Sequence, residues 1–480
     1  MKQKGVYALL TENASAIKNS RRFTVLLYII PLAFYLFFAF YDGVVWCADS
    51  DSYVIMHECR EPLYPTFLAA LRAIFGVQDK NNEAGNIYLF VAVIIQSLLA
   101  AIAASVLADF IRKACNLGKT LSLIVLSVPM FTSLLNRFVA SRGSMYSNSI
   151  LTEGLAISLF LLFMRFCMGY VITGKRYDLV IGALISTIGI LTRKQMYIML
   201  ILLIIAIVWR GICDRTDSGK TALLLSLRNV ILTLVIVLSL TTLLDNLYNR
   251  IAHGSYHTHT EDNRFLSTMA FYTATREDVK YIPEKYQDLF LEIYDICDSN
   301  GWTMTHAPKN WYDATSHFGD NYDHIQLDTM EIILAGHHTE WNLENMSYTE
   351  EMDVVRSEFN KSLIPHEIPA LSKVVFNNFL EGLVNTVAQK RKILCLYTAI
   401  IYPVYILLWA YLIRKWDKTD IIRKNVLTIS AICLIAVLLN VTVVSMVIFP
   451  QTRYTIYGMP IFYISLLIMI NELFRQRSAD

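Results

Sequence analysis

Apolar runs long enough to cross a bilayer recur along the chain at about residues 23–41, 86–110, 119–135, 149–172, 222–245, 393–413, 425–448 and 454–474, and each predicts a transmembrane helix. A further stretch, Asp178 to Trp209, is interrupted only by Arg193, Lys194 and Gln195. As one helix rising ~1.5 Å per residue it would be roughly 48 Å long, too long for a hydrocarbon core of ~30 Å. It must tilt steeply or fold back at 192–195.

Charge decides between the two. Lys and Arg cluster at 2–22, 112–119, 175–176, 210–220, 414–424 and 475–477, and a fold-back puts every cluster on one side, which the positive-inside rule makes the cytoplasm. A single span would move every cluster after Arg210 outside. The expectation is therefore an all-α polytopic membrane protein of about ten spans, with both termini cytoplasmic. Residues 1–22 form a cytoplasmic segment, 23–247 and 393–480 two membrane modules, and 42–85 and 248–392 two long outer segments.

Each outer segment has its own pattern. In the first, Pro62 followed by Leu63, Phe67, Leu71 and Phe75 predicts an amphipathic helix over 61–76, too short to span and suited to the membrane interface. The second is polar, carries nine of the ten histidines, and shows helical stretches near 284–299, 323–334 and 368–388. It is large enough to form a mainly helical extracytoplasmic domain.

Composition agrees with the pattern. With 55% hydrophobic and 17% charged residues the chain needs lipid as part of its solvent, and its net charge of +2, spread over short clusters, gives no surface for nucleic acid. About twenty polar residues precede the first apolar run with no small-residue cleavage site after it, so no cleavable signal is expected. The eight cysteines include no CxxC pair. Cys47 and Cys59 can pair only if their loop faces an oxidising compartment, and thiols are the expectation.

Charges left on the outer side stand out against the positive-inside bias: Asp49, Asp51, His57, Glu58, Arg60, Arg137, Arg142, Glu153, Arg193, Lys194 and Arg453. Gathered at one outer mouth they would supply both carboxylates and cations. Sugar transfer from a lipid phosphate needs that mixture, a base for the acceptor hydroxyl and positive groups for the departing phosphate. Asp49 and Asp51, in Trp46-Cys47-Ala48-Asp49-Ser50-Asp51-Ser52-Tyr53, share one face if the segment is extended, whereas Asp51 caps a helix if one begins at Ser52. Arg60 can reach a phosphate at headgroup depth, while Arg193, Lys194 and Arg453 each equally suit snorkelling to headgroups. Glu153 starts a span, where it either complements the helix N-terminus or fixes an arginine across the cavity. His253, His257 and His259, beside Glu261 and Asp262, have the composition of a metal site, although Gly254 and the surrounding Ser and Thr residues argue against a helix there.

Taken in order, the acidic motif after the first span, then Arg60-Glu61-Pro62-Leu63-Tyr64-Pro65-Thr66-Phe67-Leu68, Leu151-Thr152-Glu153, Leu191-Thr192-Arg193-Lys194, and Arg453-Tyr454 ahead of Pro460 resemble the GT-C superfamily of glycosyltransferases. Within it the set is most similar to the bacterial branch related to protein O-mannosyltransferases and aminoarabinose transferases. The resemblance covers 23–247 and 393–474, not the outer domain. It implies a GT-C-like helical bundle, a polyprenyl-phosphate sugar donor, inversion at the sugar carbon, and a glycan, lipid or protein acceptor met outside the cell membrane. It also implies Asp51 as base with Asp49 as its partner, and Arg193, Lys194, Arg453, Tyr454 and Arg60 on the donor phosphate, with Glu153, Tyr53 and His57 in support. Relatives differ in metal use, so the site works either without a cofactor or with a divalent cation on Asp49 and Asp51. This chain departs from many relatives in having Asp-Ser-Asp where they have one acidic residue or an Asp-Glu pair. Two rival readings are an oligosaccharide polymerase or ligase, which would not need the aspartate pair, and a transporter or lipid flippase, whose coupling charges belong near mid-membrane.

Overall fold

In a computed structural model, residues 14–139, 143–218, 220–341, 346–415 and 419–477 are described. Lys2, Lys4, Arg142 and Lys418 lie outside them. The described chain is helical, and its one β-bridge joins Val45 to Ser149.

The membrane part begins with α1 (Ala14–Asp42). After a short turn of helix, α2 (Ser50–Val54), comes α3 (Leu63–Phe75), and then α4 (Ile87–Ala114), α5 (Lys119–Val139), α6 (Glu153–Thr173), α7 (Arg176–Thr192), α8 (Tyr197–Ser218) and α9 (Lys220–Ala252). Among the described residues nine helices are long and apolar enough to cross a membrane, so the protein is a polytopic helical membrane protein. α7, at 17 residues, is not among these nine.

The long apolar stretch does fold back. Arg193 is fully extended, with φ −164° and ψ 128°, which ends α7 and redirects the chain into α8. The two then run side by side: a Cβ on Gly182 would lie 3.3 Å from Leu203, each ten or so residues from the turn, and one on Gly189 would lie 3.0 Å from Met199. At the far end of the pair, Arg210 of α8 donates to the carbonyls of Val171 and Ile172, which close α6.

α3 matches its expected bounds, but its buried side is one residue out of register with the expected stripe. Tyr64, Leu68 and Leu71 are buried while Phe75 is exposed. The reason is specific packing in place of a generic apolar face: the Tyr64 hydroxyl donates to Gln96 of α4, at 2.8 Å, inside the bundle.

Residues 253–341 build a second helical layer from α10 (Arg264–Thr273), α11 (Gln287–Ser299), α12 (Trp311–Asp323), a π-helical stretch His324–Glu331, and α13 (Ile332–Trp341). α14 (Tyr348–Val387) follows, opened by a capping box between Ser347 and Glu350. It is twice as long as the 368–388 stretch expected, because Pro365 and Pro369 sit inside it and mask its continuity in the sequence. α14 joins two hydrophobic cores. Its Met352, Val355, Phe359 and Leu363 pack with Phe271, Phe290 and Phe318 of the outer layer, and Val387 joins the core of the bundle. The chain closes with α15 (Lys392–Arg414), α16 (Ile421–Val447), the single turn α17 (Thr452–Thr455) and α18 (Gly458–Arg477). Exposed Ile, Leu, Val and Phe side chains concentrate on α1, α9 and α15, the helices with the least protein around them.

Candidate functional site

Four segments far apart in sequence meet at one end of the bundle. The loop after α1 is tied down first: Val45 donates its N–H to the Asn148 carbonyl and accepts from the Ile150 N–H in the segment before α6, and the Ser50 hydroxyl donates to the Ile150 carbonyl at 2.9 Å. Those anchors wind residues 50–54 into a turn of helix with Asp49 at its N-cap position.

This local helix separates the two aspartates. Side chains two residues apart on a helix face different ways, so Asp49 and Asp51 do not share the face an extended strand would give them. Asp49 turns inward, where its Oδ1 accepts from Arg60 Nη2 at 3.0 Å and its Oδ2 from Arg453 Nη1 at 2.8 Å. Asp51 is exposed, and its carboxylate has no side-chain partner among the described residues. Burial works against charge on Asp49, yet the guanidiniums of Arg60 and Arg453 outweigh it and bring its carboxyl down to about 2.

Aromatic rings space the cations. Arg60 lies over Tyr53 at 4.6 Å and donates to the Tyr53 hydroxyl and, at 2.8 Å, to Ser52 Oγ. The Tyr454 ring has two guanidiniums against it, Arg193 and Arg453, each 4.8 Å from the ring centre, and the Tyr454 hydroxyl accepts from Arg453 Nη2 at 2.7 Å. Arg193 in turn meets Glu153 Oε1 at 2.7 Å, a pair in which the carboxylate is 1% exposed. Of the two roles open to Glu153, the structure therefore shows it fixing an arginine from across the bundle. A narrow cleft lined by Glu153, Gly154, Tyr35, Thr132, Tyr146 and Pro460 lies between the helices on the Glu153 side of this pair.

The remaining candidates go elsewhere. The Lys194 ammonium pairs with Asp262 of the second outer segment and its backbone N–H donates to Glu61, so it stands outside the arginine cluster. His253, His257 and His259 do not converge on one point, because each finds its own partners. His259 bonds Asp245 at 2.6 Å, His257 faces Glu350 at 3.6 Å, and His253 packs edge-on against Tyr248. Both oxygens of Asp49 are taken by guanidiniums, while Asp51 is exposed. Among the described residues the one gathering of three metal-type ligands is His57, Cys59 and Glu261. Cys47 and Cys59 are not bridged.

Three supporting residues escaped the sequence reading. Gln195 donates from one amide nitrogen to Asn440 Oδ1 at 2.8 Å and to the Tyr454 carbonyl at 2.6 Å, and Asn440 donates to that same carbonyl. Together they pin the Arg453–Tyr454 turn to the fold-back. Asn440 had a legible signal, a lone amide inside an apolar span. Glu61 had none. Comparison with protein-family models, curated proteins and solved structures finds no match to this chain.

Proposed function

We propose that this protein is a membrane glycosyltransferase that moves a sugar from a polyprenyl-phosphate donor to an acceptor on the outer face of the cell membrane. One observation carries the reading: a carboxylate, Asp49, held between Arg60 and Arg453, with Arg193 sharing the Tyr454 ring next to them, at a bundle rim where lone charges would be costly. The order of motifs resembling the GT-C superfamily supports it, and the positive-inside rule places this end opposite the basic clusters, outside.

In this mechanism the donor phosphate takes the Arg60 and Arg453 guanidiniums that Asp49 holds at rest. Freed of its partners, Asp49 gains proton affinity and accepts the proton of the acceptor hydroxyl. The hydroxyl oxygen bonds to the anomeric carbon, the bond from that carbon to the phosphate oxygen breaks, and the polyprenyl phosphate leaves on the arginines with its charge balanced. The base is thus Asp49, with Asp51 in the solvent.

The test uses purified protein in detergent or in sealed vesicles, a polyprenyl-phosphate hexose labelled in the sugar, and a membrane extract as acceptor source. Label leaving the lipid supports transfer. Labelled lipid crossing the vesicle intact would make the protein a transporter and end the proposal.

A further inference from the structure

The gathering of His57, Cys59 and Glu261 plays no part in the chemistry above. Its ligand atoms lie within 4.8 Å of one another, and His57 Nδ1 and Cys59 Sγ are already 3.1 Å apart. Ligands on a tetrahedral zinc, with bonds of ~2.0–2.3 Å, stand roughly 3.3–3.8 Å from each other. The three side chains need only modest adjustment to surround one ion.

The cluster is also shielded. Glu261 is 6% exposed, and His57 and Cys59 are half-buried. Glu261 pairs through one carboxylate oxygen with Arg264, and its other oxygen, a Cys59 thiolate and a neutral His57 would be the ligands offered to a divalent cation. The mixture of sulfur, imidazole and carboxylate suits zinc over magnesium or calcium, which take oxygen alone.

The backbone singles out the same place. Among the described residues three non-glycine positions have positive φ; two of them are Met56 at 59° and Glu261 at 66°, the residue before His57 and the carboxylate ligand itself. Neither Met nor Glu favours that region, unlike the third, Asn116. The two strands of chain are also joined directly, with Thr260 N–H donating to the Glu58 carbonyl at 3.1 Å.

We infer that His57, Cys59 and Glu261 form a zinc site that fastens the first outer loop to the second outer segment. Its effect would reach the arginine cluster, because the Arg60 N–H donates to the His57 carbonyl at 3.0 Å. The inference does not depend on the transferase reading, and its test needs no activity.

Purified protein, stripped with a chelator and reloaded with zinc or cobalt alone, should bind one equivalent. The cobalt form should show a thiolate-to-metal charge-transfer band, absent in Cys59→Ser and present in Cys47→Ser. Glu261→Gln should weaken binding more than about tenfold. A second measurement uses the unaltered protein: zinc should slow alkylation of Cys59, relative to Cys47, by more than about tenfold as read by mass spectrometry. No charge-transfer band in the unaltered protein, or equal alkylation with and without zinc, overturns the site.

Discussion

The two ends of the helix bundle hold their charges in different ways. At the basic end the pairs are mostly local staples: Asp109 with Arg112 and Lys113, Arg210 with Asp214, and Glu472 with Arg475, each within one helical turn. Three longer contacts, Arg165 to Asp178, Arg423 to Glu472 and Arg475 to Asp420, join neighbouring helices and their caps. At the other end Asp49 reaches Arg453 and Glu153 reaches Arg193, and aromatic rings lie against three of the guanidiniums. Local staples can form as each helix forms. The convergent network needs the whole bundle assembled first, and it holds cations beside a carboxylate they could exchange for another anion.

Replacing the carboxylate that is meant to act chemically should have the largest effect. Under the proposed function, Asp49→Asn is expected to lower transfer on the order of 10³-fold with membrane insertion intact, whereas Asp51→Asn should stay within a few-fold of the unaltered protein. The reverse order, read in the labelled-sugar assay, would move the base to Asp51. Next, Arg453→Ala should cost roughly 10²-fold, felt more in donor than in acceptor dependence because in the proposed reaction the guanidinium meets the leaving phosphate. An unchanged donor dependence would remove it from that role. Glu153→Gln tests structure: stranding Arg193 without its buried partner should cost on the order of 3 kcal/mol, seen as a drop in thermal unfolding temperature.

Smaller effects belong to titration and to the basic end. Asp49 sits near 2 against an ordinary 3.8, so its stabilising pairing is complete above the ordinary value and lost as pH falls through the lower one. Thermal unfolding around neutral pH should therefore not titrate with this group, and an Asp49-dependent step near pH 7 would show that its arginines are not engaged. Smallest of all, Asp214→Ala at the basic end should cost less than about 1 kcal/mol and leave transfer unchanged. A loss of activity there would erase the contrast between the ends.

How much of this was readable beforehand follows the same divide. Membrane spans come from long apolar runs, and the fold-back at Arg193 from length and charge bias, so both were legible. The arginines and Glu153 were legible as charges in costly places. The relation of Asp49 to Asp51 was not, because it depends on whether residues 50–54 coil or extend, and that is settled by Ser50 bonding to Ile150 far along the chain. Lys194 looked equivalent to Arg193, yet the turn aims it at Asp262. The composition around His253, His257 and His259 suggested ligation; the helix ends at Ala252, as Gly254 and the Ser and Thr residues led one to expect, and the three rings disperse. Helix α14 was half hidden by its prolines.

That helix has a consequence for how the two halves of the protein can move. It is one continuous 40-residue rod, about 60 Å end to end, with its upper half embedded in the outer layer. Near its foot Asn385 donates to the Pro450 carbonyl at 2.7 Å, three residues from Arg453. A rod gripped at both ends works as a crank. Any tilt that cargo imposes on the outer layer would arrive at the turn carrying Arg453, giving the bulk outside the membrane mechanical purchase on a guanidinium at its surface.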